Sequence, residues 1–182
     1  MNKKDKIKKN ILSLLCADQA MRKKWADSGF NPEFYKKEID KENQKKIKEI
    51  VKSVGGWPKL SEFGEETTNA LWVLVQHTPN LKFHKLMLKK MEKLPRPEIS
   101  FKNIAKTIDR IRRCENKKQL YGTSFTIDLQ SGKLRVDPIE NEYNIDKRRK
   151  KMGLDSFKAQ KERAYKSYKE HLKNRKDFKK SR

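Results

Sequence analysis

Five polar residues of this chain carry the groups that acid–base chemistry needs: His77, Asp109, Arg110, Gln119 and Tyr121. A histidine beside a carboxylate can act as a general base with its orienting group. An arginine and a glutamine can hold a phosphate or an oxyanion. If the fold gathers them, a His77/Asp109/Arg110 cluster backed by Gln119 and Tyr121 suits hydrolysis of a nucleotide or of nucleic acid. The same residues also have a purely structural reading. Gln76-His77 falls where a helix ends, and a histidine there can satisfy terminal carbonyls and complement the helix dipole. Asp109-Arg110 on a helix would bridge to Gln119 or Tyr121. The structural reading is preferred, because no nucleophile, metal-ligand spacing or glycine-rich phosphate loop accompanies the cluster. His77 and His84 are separated by Pro79, which breaks the helix between them, so they form no zinc pair. Cys16 and Cys114 have neither metal nor redox spacing. No metal and no cofactor is expected.

The second set of residues with legible chemistry is cationic. Lys147, Arg148, Arg149, Lys150 and Lys151 form an unbroken basic run, followed by Lys166, Lys169, Lys173, Arg175 and Lys176 at helical spacing. Residues 147–182 hold 16 Lys/Arg against 4 Asp/Glu, or +12, and the remaining residues carry +11 of the total +23. A lysine-rich but neutral protein carries matching glutamate, and here the match is missing. Such an excess repels itself unless counterions or an anionic partner offset it. Nucleic acid, DNA or RNA, is the expected partner, because neutralising its phosphates releases condensed counterions. Lysine-to-phosphate contacts give affinity without base readout. Ala164, Tyr165, Tyr168 and Leu172 make a narrow apolar stripe on the same helix. That stripe can dock on the domain, pair with a second copy as a homodimer, or lie on another protein. Tyr165 and Tyr168 could stack on unpaired bases, although their helical spacing favours packing. A membrane-surface helix fits less well, since the stripe has no Trp and one Leu.

The elements that must position these groups follow from periodicity. Ile7, Ile11, Leu12, Leu14 and Leu15 predict a helix running to Trp25 and stopping at Ser28-Gly29. Asn31-Pro32 reads as cap and first turn of a second helix that carries Phe34, Ile39, Ile47, Ile50, Val51 and Val54 and ends at Gly55-Gly56. Trp57-Pro58 is expected to be a buried anchor in the following loop. Further helices are predicted from about Glu65 to His77, from Leu81 through Met91, and after a Ser100 cap through Ile111. The period then changes. Tyr121, Thr123, Phe125, Ile127 and Leu129 alternate as in a strand, Gln130-Ser131-Gly132-Lys133 turns, and Leu134 with Val136 returns. Gly122 permits a tight or positive-φ entry into that strand. A last helix, capped by Asp155 or Ser156, carries the basic tail.

Asp18-Gln19-x-x-Arg22, Trp57-Pro58, Gln76-His77, Asp109-Arg110, Gln119-x-Tyr121-Gly122-Thr123 and Asp146-x-Arg148-Arg149 occur in one ordered series. This series resembles a functionally uncharacterised bacterial domain family built around those motifs, over roughly residues 11–157. His84 departs from the pattern, standing where a glutamine is expected, and the basic helix beyond residue 157 looks like an extension. The resemblance implies a mostly helical fold and brings no reaction with it.

Composition bounds the rest. Charged residues make up 39 % of 182 positions, against about 25 % in an average soluble domain. The longest apolar run, Ala70 to Val75, is far short of a membrane span, and the first residues lack a signal-peptide core. A cytoplasmic protein is expected. The fold class expected is mainly α: a single helical domain over residues 1–146, with one small β-hairpin at about 121–137, and a mostly helical basic tail over 147–182. The function expected is that of a non-catalytic accessory protein that binds nucleic acid or a nucleoprotein through phosphates. In kind it is similar to small basic factors that assist a bacterial defence effector such as an RNA-guided CRISPR nuclease. The alternatives are a hydrolase using the His77/Asp109/Arg110 cluster and a homodimerising scaffold.

Overall fold

The computed structural model describes residues 2–128 and 131–180, with side chains described as far as Leu172 apart from His171. The protein is mainly α-helical, with one two-stranded antiparallel hairpin and a C-terminal helix among these residues. It divides into two compact units, Met1–Asn103 and Ile104–Arg182.

The first unit contains α1 (Lys3–Asp27), α2 (Lys37–Ser53), α3 (Leu60–His77) and α4 (Leu81–Met91). Asn2 caps α1 by accepting from the Asp5 N–H, and Ser28 closes it. Ile11, Leu14 and Met21 of α1 are buried with Ile47, Ile50 and Val51 of α2 and Ala70, Leu71, Leu74 and Val75 of α3. α3 is the apolar centre, and α1, α2 and α4 all pack on it. The predicted anchor Trp57 is buried. Gly64 (φ 79°, ψ 163°) interrupts α3, so regular helix follows from Glu65, the predicted start.

One predicted boundary moves. Asn31-Pro32 caps a single 3-10 turn, Pro32–Phe34, rather than α2. The backbone is extended at Tyr35 and Lys36, and α2 begins only at Lys37. The tyrosine hydroxyl donates to the Asp40 carboxylate in the first turn of α2, which holds the chain in that offset.

The second unit contains most of α5 (Phe101–Cys114), then β1 (Phe125–Ile127), β2 (Leu134–Val136), α6 (Ile145–Lys151) and α7 (Phe157–Lys180). Phe125, Thr126 and Ile127 pair with Val136, Arg135 and Leu134. Leu129 and Gln130 lie outside the described residues. The predicted strand is shorter than the alternation suggests, because Tyr121 and Thr123 direct their N–H groups to a side chain of α5 instead of a strand partner. Of the two caps predicted for the last helix, Ser156 accepts from the Ala159 N–H, while the Phe157 N–H is taken by Asp146 of α6. On α7 the Tyr168 hydroxyl donates to the Gly132 carbonyl at the hairpin turn, so part of the predicted stripe docks within its own unit. Tyr165 and Leu172 remain exposed.

Gly122 has φ +62°, and a Cβ there would lie 2.6 Å from the Phe157 ring and 2.9 Å from Ile145 Cδ1. Left-handed backbone with a side chain costs about 1–2 kcal/mol, and overpacking adds about 1–3 kcal/mol. Gly122→Ala is therefore expected to destabilise the chain by roughly 2–4 kcal/mol, read as a lower urea midpoint at unchanged slope.

Candidate functional site

Two buried polar constructions occupy the positions that the sequence marked for chemistry. The first is in unit one. Asp18 falls on the apolar stripe of α1, between Leu14 and Met21, and its side chain has no exposed surface. A lone buried carboxylate would be strongly destabilising. Here His77 Nδ1, at the end of α3, lies 2.6 Å from Asp18 Oδ2. Arg22, one turn along α1, brings Nε to 3.2 Å from Oδ1 of the same carboxylate. The Arg22 Nη2 reaches across to Asp40 Oδ1 at 2.6 Å and to the His77 carbonyl at 3.4 Å. Asp40, also buried, accepts the Tyr35 hydroxyl on its other oxygen. One guanidinium therefore serves two carboxylates on two helices and the terminus of a third.

The electrostatics follow the geometry. Burial pushes the Asp18 carboxyl upward, but the hydrogen bond and charge of His77 and those of Arg22 outweigh it, and the pKa lies below the ordinary carboxylate value. The Tyr35 hydroxyl is raised, first by its hydrogen bond to Asp40, then by burial and the Asp40 charge. With Asp18 ionised, His77 donates to it from Nδ1, and the ring is 26 % exposed. His77 is the basic residue of the last turn of α3, and the Val75 carbonyl of that helix is met by His84, whose Nε2 lies 2.9 Å from it. Beside this network, Tyr35 and Asp40 join Lys37, Lys41, Gln44 and Asn80 in lining a cleft of about 550 Å³.

The second construction is in unit two. Asp109, wholly buried on α5, accepts N–H bonds from Leu120 at 2.7 Å and Thr123 at 3.0 Å, another from Tyr121, and the Thr123 hydroxyl at 2.9 Å. Gln119 accepts from the Ser124 N–H at 2.8 Å and donates to the Ser124 and Asp137 carbonyls at 3.0 and 2.8 Å. Its side chain thus completes the ladder that the short hairpin lacks. From the opposite side, Arg148 donates to the Leu120, Asn141 and Glu140 carbonyls at 2.8, 3.0 and 2.6 Å. Arg149, with no exposed surface, donates to the Tyr121 carbonyl, to the Asp155 carbonyl at 2.7 Å and to its carboxylate at 3.1 Å. The loop at 119–124 is held by its donors on Asp109 and by its acceptors on Arg148 and Arg149.

Of the expected acid–base set, His77 is in the first unit with Asp18 as its carboxylate. Asp109, Arg110, Gln119 and Tyr121 are in the second. Arg110 and the Tyr121 side chain are half-buried there. The expected phosphate contacts divide. Lys147, Lys150 and Lys151 of α6 and Lys166 and Lys169 of α7 are exposed. Arg149 is withdrawn from that set because it is buried among carbonyls, and Arg148 because its guanidinium is committed to three of them. The side chains of Lys173, Arg175 and Lys176 lie outside the described residues. Sequence reasoning singled out neither Asp40 nor Tyr35, and it placed Asp18 and Arg22 only in a motif. The available signal was a charged residue interrupting an apolar helical stripe, with an opposite charge four residues on.

Residues 5–169 match a family of unknown function (DUF6624). The chain belongs to that family. The match to DUF6624 runs through Lys169, so the first half of α7 lies inside it and is not an extension. No curated protein and no solved structure matches the chain.

Because Asp18 has a lowered folded-state pKa, the unfolded chain takes up this proton first as the pH falls. Its stabilisation is fully present above the unfolded value of about 3.9 and is lost as the pH drops through the lower folded value. Asp18→Asn is expected to remove about 2–3 kcal/mol at pH 7 and to flatten stability against pH below about 4, measured by urea denaturation at each pH.

Proposed function

We propose that this protein is a basic, non-catalytic accessory factor that binds nucleic acid, or a nucleoprotein, through phosphate contacts. The observation that carries this reading is the exposed lysine set of α6 and α7: Lys147, Lys150, Lys151, Lys166 and Lys169. The arginines of the same run are tied to carbonyls, which leaves the lysines to face solvent from an anchored helix. Flexible ammonium groups act as point charges toward phosphate and are indifferent to sequence. Log affinity for duplex DNA is expected to fall linearly with log salt, by about 0.9 for each phosphate neutralised. Replacing Lys147, Lys150, Lys166 and Lys169 with Gln is expected to reduce that slope by up to about 0.9 per lost contact while the fold is kept. An equal reduction from Lys3, Lys4, Lys6 and Lys8 to Gln would remove α6 and α7 as the binding element.

A second reading is favoured by one distance, the 2.6 Å between His77 Nδ1 and the buried Asp18 carboxylate. A carboxylate that orients a histidine and stabilises its protonated form is the arrangement of a general base, and it would serve hydrolysis of a nucleotide or of nucleic acid. The accessory reading expects His77→Ala to lower stability by about 1–3 kcal/mol and to leave nucleic-acid affinity unchanged. Hydrolysis that disappears in a folded His77→Ala variant would establish the enzyme in its place.

A further inference from the structure

The end of α1 presents an aromatic surface that the polar network does not explain. Phe30 and Phe34 are 43 % and 45 % exposed, among the most exposed large apolar side chains of the first unit. Phe30 also has φ 67°, a backbone region that a bulky side chain rarely enters. Strain of that kind persists only where the surroundings impose it, and it collects at ligand-contacting positions. Here the Phe30 N–H donates to the Trp25 carbonyl at 2.9 Å, and its ring meets Trp25 edge-to-face at 5.0 Å. Trp25 meets Tyr35 in turn at 4.9 Å. The Tyr35 ring is fixed at its far end by the hydroxyl bond to Asp40. Phe30, Trp25 and Tyr35 thus touch in series, edge-to-face and then tilted, with the Arg22 guanidinium 5.9 Å from the Tyr35 ring centroid and Phe34 exposed in the turn between them.

The cleft of about 550 Å³ opens at the Tyr35 end of that row. Its volume lies in the range that takes a nucleotide-sized ligand. Lys37 and Lys41 are its exposed cations, and Gln44 and Asn80 bring amide groups. Its one lining carboxylate, Asp40, is already matched by Arg22 and Tyr35. Nearby, Glu42 is paired with Lys46. An aromatic face, hydrogen-bonding amides and two cations are what an unpaired nucleotide needs for its base, its base edge and its phosphate.

We propose that this cleft and the aromatic row beside it bind an unpaired segment of a nucleic-acid strand, with a base against Tyr35 and phosphates at Lys37 and Lys41. The proposal rests on the reading of the protein as a nucleic-acid binder and adds a preference for single strands. Fluorescence anisotropy with a labelled 20-nucleotide oligothymidylate and with a duplex of the same length, at one salt concentration, tests both. The single strand is expected to bind about tenfold or more tightly than the duplex. Tyr35→Leu and Phe34→Ala are each expected to weaken the single strand by about tenfold with duplex affinity unchanged. Phe34 is exposed, so its variant reports on binding even if Tyr35→Leu fails to fold. Equal losses toward both oligonucleotides, or no loss from either variant when folded, overturns the proposal. Adenosine monophosphate binding as tightly as the oligonucleotide would assign the cleft to a free nucleotide and also overturn it. Duplex binding without a single-strand preference removes this inference alone, whereas failure of both oligonucleotides to bind removes the nucleic-acid reading itself.

Discussion

An ionised carboxylate withdrawn from water costs several kcal/mol unless an opposite charge and hydrogen bonds replace its hydration, and the first unit buries two. Asp18 and Asp40 stand on different helices, and Arg22 is the group that meets both. Breaking such an arrangement on one side leaves the other charge stranded, so α1 and α2 are bound to one mutual placement. His77 extends the constraint to the end of α3, and Tyr35 extends it to the offset chain before α2. Apolar burial supplies the bulk of the driving force for these helices. It is non-directional, however, and the charge network is what specifies how they meet.

The second unit meets the same requirement for backbone rather than for charge. A chain passing from α5 to a hairpin of three-residue strands has more peptide groups than the ladder can pair, and unpaired buried peptide groups are costly. Asp109 accepts from the N–H donors, Arg148 and Arg149 donate to the carbonyls, and Gln119 stands in for a neighbouring strand. Asp155 then holds Arg149 and Arg163 together, and its carboxyl is held below the ordinary range, first by the hydrogen bond to Arg163. A wholly buried arginine inside a run of five cations is thus a structural fastener. The surface charge of the run belongs to its lysines.

This division separates two uses of positive charge in one short segment. Guanidinium groups, with fixed forks of donors, suit multiple carbonyl contacts in the interior. Ammonium groups, compact and strongly hydrated, stay in water where a polyanion can reach them. The aromatic cluster at the end of α1 is a third kind of surface, with Phe30 and Phe34 exposed.

Much of the architecture was legible before the structure. Helical periodicity placed the cores of α1, α3, α4 and α5, the Ser100 and Ser156 caps marked real starts, and Gly122 marked a positive-φ position. These are local properties, set by side-chain spacing and by which backbone angles a residue tolerates, so a single sequence carries them. The gap between Asn31-Pro32 and α2 was not legible, because it depends on Tyr35 reaching Asp40. The shortening of β1 was not legible either, since the alternation from Tyr121 is the same whether its N–H groups meet a strand or the Asp109 carboxylate. His77 and Asp109 were both marked as chemically able, but their partners come from 59 residues away in one case and from the adjoining loop in the other. Sequence by itself determined which side chains can carry charge, accept a proton or end a helix. Only the tertiary structure decided which of those charges are buried and matched and which face water, because desolvation and hydrogen bonding depend on neighbours brought close by the fold.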